Sequence, residues 1–250
     1  MIALLLRRAC GPRCLLVFGD SLVMDRWKWI KRRLPAEPSR LLDAGCGNGW
    51  LTVNCARLGH ATIGLGNDYD EVTRAQSRAA AIGSSSKFEQ QDIRHLDSRH
   101  DLMGQFDVVT CTEVIEHVIN DSKLVADLAA LLRPRGKLLL TTPNEAYIPI
   151  DSGDTGPFEP IEDGRHVRKG YSVSRLHHLA TTSGLRVDEI SYCSGKASQR
   201  FTRLLRSVSH LIGYRPAWGL TLWLRVFPPV LDRMQHDYPQ YSICMVASKL

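Results

Sequence analysis

Glu113, Glu116 and His117 stand at i, i+3 and i+4, and another histidine, His166, follows in a stretch rich in glycine and charge. On a helix the first three would share one face. Two carboxylates and an imidazole together can hold a divalent cation such as Mg²⁺, with open positions for a substrate's oxygens. Without a metal, His117 or His166 can take a proton as general base. A second chemistry is written in Leu41-Leu42-Asp43-Ala44-Gly45-Cys46-Gly47-Asn48-Gly49-Trp50-Leu51. Two apolar residues and an acid close a strand, three glycines alternate through a tight turn, and an apolar helical pattern opens at Trp50. Glycine takes positive φ and lets the backbone approach a ligand with no Cβ between them. The following helix offers unpaired N–H groups at its start. This is a nucleotide-cofactor loop, spaced G-x-G-x-G where dinucleotide binders have G-x-G-x-x-G.

Such residues need a sheet to hold them. Apolar runs predict strands over 40–44, 61–65, 87–91, 106–110, 136–142, 185–192 and 241–248, with helices over 48–58, 71–82, 122–132 and 172–183. Strands alternating with helices imply an α/β fold, a doubly wound, mostly parallel sheet covered on both faces. Ligands bind such sheets at the carboxyl ends of the strands, near the switch point. Residues 1–38 read as a basic extension with a helix over 22–34, stopped by Pro35 and Pro38. Residues 39–250 form the catalytic domain, with a loop or lid over 144–170 and a helical insertion over 195–239 before the last strand. The insertion carries Arg200-Phe201-Thr202-Arg203-Leu204-Leu205-Arg206 and Trp223-Leu224-Arg225-Val226-Phe227, closed by Pro228-Pro229.

Three stretches together resemble the class I S-adenosylmethionine (SAM)-dependent methyltransferases. They are the glycine loop, Phe106-Asp107-Val108-Val109-Thr110-Cys111-Thr112-Glu113, and Leu132-Arg133-Pro134-Arg135-Gly136-Lys137-Leu138. The resemblance implies a seven-stranded sheet with SAM as cofactor. It places Asp43, Gly45, Cys46, Gly47 and Gly49 at the methionine part, and Thr112 beside them. Asp92 would accept from the adenine amine while Ile93 packs on the ring. Gly66 stands where the family carries an acid for the ribose, so Asn67 or Asp68 is expected to serve instead. Glu113-x-x-Glu116-His117 with the later His166 is similar to ubiquinone-type O-methyltransferases and to metal-using small-RNA 2′-O-methyltransferases. The expected acceptor is a small hydrophobic hydroxylated molecule: a quinone precursor, a secondary metabolite or a lipid-linked sugar. The rivals are an RNA 2′-O-methyltransferase and a non-enzymatic SAM-binding regulatory protein, the latter suggested by Gly66.

Composition narrows these choices. A chain of 250 residues, 44% hydrophobic, buries a full core. Its seven cysteines are scattered without a C-x-x-C pair, as in a reduced, cytoplasmic protein. The opening Met1-Ile2-Ala3-Leu4-Leu5-Leu6 precedes Arg7-Arg8, a charge order that argues against a signal peptide. The net charge of +6 belongs to the flanks, since residues 41–199 carry sixteen basic and twenty-one acidic side chains. An acidic body speaks against nucleic acid, while basic flanks allow peripheral contact with an anionic membrane.

Overall fold

The structure, a computed structural model, describes residues 19–150, 152–221 and 238–250. The start of the basic extension (1–18) and the segment from Trp223 to Pro229 lie outside the described residues. In chain order the main elements are α1 (Ser21–Lys31), β1 (Arg40–Ala44), α2 (Trp50–Arg57), β2 (Ala61–Gly66), α3 (Tyr69–Ala81), β3 (Lys87–Gln90) and β4 (Phe106–Thr112). Then follow α4 (Asp121–Leu131), β5 (Leu132–Pro143), α5 (Val173–Thr182), β6 (Leu185–Cys193), α6 (Lys196–Ile212), α7 (Tyr214–Leu220) and β7 (Ser242–Lys249).

The seven strands form one sheet in the order β3-β2-β1-β4-β5-β7-β6. Only β7 runs antiparallel to its neighbours. Between β1 and β4 the chain order reverses, and this switch point is where a ligand cleft opens.

Period-two alternation decides which helix covers which face. Leu41, Val108, Leu139, Cys244 and Val246 point to one side, where they meet Trp29 and Ile30 of α1 and Trp50, Leu51 and Cys55 of α2. Their neighbours Leu42, Val109, Leu138, Leu140, Ile243 and Met245 point to the other, against Leu124, Val125 and Leu128 of α4 and Leu176 and Leu179 of α5. Each fully buried aliphatic side chain stabilises the fold by about 1.5–3 kcal/mol. Trp29 and Ile30 thereby join α1, grouped by sequence with the extension, to the same core as the sheet. Its start is capped by Asp20, whose carboxylate accepts from the Val23 N–H at 3.1 Å.

The expected helical face over Glu113, Glu116 and His117 does not form. Glu113 has φ of 53°, a left-handed conformation, Val114 is non-helical, and only Ile115–His117 make a single 3₁₀ turn. The Glu113 N–H is instead drawn to the Thr141 carbonyl of β5 at 2.8 Å. Pairing with the neighbouring strand overrides the local helical spacing.

Candidate active site

The turn from β1 into α2 is fixed by its backbone. The N–H groups of Gly45 and Cys46 both donate to the Leu65 carbonyl, at 2.9 and 2.8 Å. A Cβ on Gly45 would lie 2.4 Å from Val114, and one on Gly49 2.5 Å from Ala75, so these two glycines permit close packing. Gly47 differs: its φ is 47° and the nearest atom a Cβ would meet is Glu71 Oε2, at 3.5 Å. There the backbone itself faces open space.

That space is a cavity of about 220 Å³, lined by Thr112 and Glu113 at the end of β4, by Gly45–Asn48 and by Glu71 in the first turn of α3. Arg26 of α1 also reaches it. Asp43 lies in its floor, 1% exposed, and each carboxylate oxygen takes a hydroxyl: Oδ2 from Thr52 at 2.7 Å and Oδ1 from Thr110 at 2.9 Å. Burial nevertheless pushes its pKa up to about 6. Cys46 lines the cavity too, and burial raises its thiol pKa, so it is not a nucleophile.

Glu113 bridges three elements. Its Oε1 accepts from the hydroxyls of Thr141 and Ser242, both at 3.1 Å, and its Oε2 lies 3.6 Å from the Arg26 guanidinium. For Arg26 burial alone would lower the pKa, but Glu113 and Asp20 outweigh it and the pKa is raised.

Glu116, His117 and His166 come together, each offering a ligand atom within 4.8 Å of the others. Glu113 is not among them. Glu116 is fully buried; Oε2 accepts from the Thr142 hydroxyl at 3.0 Å, and Oε1 lies 3.9 Å from His117 Nε2. Among the described residues, Glu116 Oε1 and His117 Nδ1 are buried without a hydrogen-bond partner. Burial first, then the charge of Glu113, lifts the Glu116 pKa well above the carboxylate range. The His117 and His166 rings meet edge-on with centroids 4.7 Å apart. Burial and then His117 lower the His166 pKa, keeping that imidazole neutral.

His166 is positioned by clamps from the two residues that follow it. The Val167 N–H donates to the Glu116 carbonyl at 2.9 Å. Arg168 donates to the carbonyls of Val118 and Ile119 at 2.9 and 2.8 Å and pairs with buried Asp121. The expected lid is therefore tied down on the turn after β4. It is also joined to the insertion, because Arg203 of α6 donates to the carbonyls of Ile150 and Pro149 at 2.9 and 2.8 Å.

The other expected cofactor residues are not among those that line the cavity. Asp68 caps α3, its Oδ1 accepting from the Glu71 N–H at 2.8 Å. Asn67 is exposed beside it, its carbonyl taking Gln90 Nε2 at 3.1 Å. The Asp92 carboxylate is held by the Arg94 guanidinium, with contacts down to 2.5 Å that keep its pKa low. Ile93 is buried against Leu96 and the sheet. Sequence reasoning missed Arg26 and Glu71. The i, i+3, i+7 row Val23, Arg26, Ile30 on α1 was the available signal for the first.

Residues 23–190 match the family described as Methyltransferase domain. A ubiquinone biosynthesis O-methyltransferase of Pseudomonas aeruginosa (strain LESB58) is 30% identical over 169 residues, 66% of this chain and 72% of that protein. One from Coxiella burnetii (strain Dugway 5J108-111) is 29% identical over 170 residues, 66% of this chain and 71% of that protein. A solved S-adenosylmethionine-dependent methyltransferase from Mesorhizobium loti shares the fold, with a TM-score of 0.60 at 19% identity over 92% of this chain and 99% of that one.

Proposed function

The chain belongs to the methyltransferase-domain family and is a SAM-dependent methyltransferase; from that premise we propose that it methylates an oxygen of a small, hydrophobic hydroxylated acceptor. The observation that carries the reading is the juxtaposition of two unlike sites at the switch point. One is the glycine-floored cavity, the other the trio of buried Glu116 and half-buried His117 and His166, just beyond the Glu113 that lines that cavity. The names of the ubiquinone-pathway relatives support oxygen as the atom methylated.

The cavity suits the cofactor. Gly47 leaves room for close backbone approach, Arg26 brings a cation, and Trp50 lines the wall with a buried indole N–H that has no partner. Arg26 and the N–H groups at the start of α2 would receive the carboxylate of the methionine part. When bound, SAM supplies a methyl group already activated on a sulfonium. Thr112 and Glu113 lie between that end of the cavity and the trio, and there the reacting atoms would meet.

On the acceptor side, His166 is the base. Its neutral imidazole would take the hydroxyl proton onto a ring nitrogen as the acceptor oxygen bonds to the methyl carbon, the carbon–sulfur electron pair of bound SAM staying on sulfur. Alignment and exclusion of water do most of the remaining work.

A second reading of the same trio is favoured by the orphaned Glu116 Oε1. Glu116, His117 and His166 would hold a divalent cation, which when bound would lower the acceptor's pKa. Glu113, committed to Thr141, Ser242 and Arg26, would not be a ligand. Titrating Mg²⁺ or Mn²⁺ calorimetrically into wild type and Glu116→Ala, with turnover assayed in chelator, separates the two. Unchanged turnover in chelator and no binding heat leave the metal-free base.

The outer face of α6 and α7 exposes Leu204, Leu211, Tyr214 and Leu220 beside Arg200. No helix among the described residues is long and apolar enough to cross a membrane. This face would lie on an anionic bilayer and admit a lipid-like acceptor. Liposome flotation tests it; protein that stays at the bottom with anionic vesicles ends the idea. The methyl-transfer reading itself is tested by assaying a panel of phenols and catechols with labelled SAM, in which label on nitrogen or carbon products only would overturn it.

A further inference from the structure

We infer that Glu71 binds the ribose hydroxyls of the cofactor. The inference rests on the placement of SAM proposed above. In doubly wound sheets a nucleotide lies across the carboxyl ends of the central strands. An acid about twenty residues after the glycine loop then meets the ribose. In this chain the end of β2 holds Gly66, which is buried. A Cβ there would stand 3.1 Å from Val72 and 3.4 Å from Cys46 Sγ, so a longer side chain would press on the core. The next two residues face outward, and Asp68 spends its carboxylate on the α3 cap.

Glu71 lies one helical turn further on. It lines the same cavity as Thr112 and Glu113, with its Oε2 beside Gly47. Among the described residues its side chain accepts no hydrogen bond and forms no ion pair. A ligand with its methionine end at Arg26 and Glu113 and its body over Gly47 brings a sugar to this carboxylate. Two adjacent hydroxyls can then donate to its two oxygens, in the manner of other charge-assisted pairs. The Asp68 cap contributes indirectly, because it fixes the first turn of α3 and hence the direction from which Glu71 enters. The plain alternative is a solvated acid that merely favours a helix N-terminus.

Calorimetry with S-adenosylhomocysteine and its 2′-deoxy and 3′-deoxy analogues distinguishes these. The wild type should bind the analogues roughly ten- to hundredfold more weakly than the parent. Glu71→Gln should weaken the parent by a similar factor and bind parent and analogues alike, with its thermal unfolding unchanged. Asp68→Asn, which keeps a competent cap, should retain wild-type discrimination. Wild-type affinity and discrimination in Glu71→Gln would overturn the assignment, as would loss of discrimination in Asp68→Asn instead. Failure of the wild type to bind the parent compound would overturn the cofactor placement itself, a different result from either.

Discussion

Asp43 and Glu116 are both acids buried at the switch point, one inside β1 and one on the turn after β4, and their surroundings are opposite. Asp43 has a threonine hydroxyl on each oxygen, from Thr52 on α2 and Thr110 on β4. Glu116 has one hydroxyl, from Thr142, and an oxygen with no hydrogen-bond partner, 3.9 Å from His117 Nε2. A buried acceptor left bare costs about 1–3 kcal/mol. On the β1 side both oxygens of the acid are hydrogen-bonded, so Asp43 ties the glycine turn to α2 and β4. The β4 side is held open at an energetic cost, with His117 and His166 arranged around the gap. The difference teaches which acid is scaffold and which is reserved for chemistry.

The largest expected effect tests that division. Glu116→Ala or His166→Ala should lower kcat by roughly a hundredfold or more, while affinity for S-adenosylhomocysteine stays within about twofold. Calorimetry beside steady-state kinetics reads both, and an equal loss in the two would mean that the halves of the cleft are not separate.

Next comes the pH dependence of stability. The folded pKa of Asp43, about 6, stands above its ordinary 3.8, so between those values the folded chain keeps a proton that the unfolded chain has released. Its stabilising contribution is full below the lower value and is lost as pH rises through the upper one. Relative to Asp43→Asn, the wild type should lose about 3 kcal/mol between pH of about 4 and 7. Parallel denaturation profiles for the two proteins would refute this.

A smaller effect joins the two sides. Gly45→Ala would place a methyl 2.4 Å from Val114, at φ of 79°. It should cost about 1–3 kcal/mol in thermal unfolding. The least is Arg203→Ala, which frees the lid from the insertion. It should cost about 1 kcal/mol and raise KM for the acceptor more than KM for SAM.

The strands were legible because alternation such as Leu138-Leu139-Leu140 and Ile243-Cys244-Met245 requires two covered faces, and the glycine loop because its spacing has few other uses. Glu116, His117 and His166 were legible only as part of a set of four with Glu113. Glu113 was not separable from them, since its neighbours Thr141, Ser242 and Arg26 are distant in sequence and local spacing says nothing of them. The same blindness hid Glu71: its place in the cavity depends on how the Asp68 cap turns α3, and no count of residues reveals that direction. The Arg94 guanidinium on Asp92 was likewise not read from the sequence, although it stands only two residues on.

Because β7 alone joins β5 to β6, the order of assembly is constrained. Until residues 242–249 emerge from the ribosome, β6 has no neighbour and the flank of β5 is bare, a sticky hydrophobic margin open to mispairing. A clone trimmed to residues 23–190, the part recognisable by kinship, would keep that exposed margin permanently and is expected to precipitate on expression.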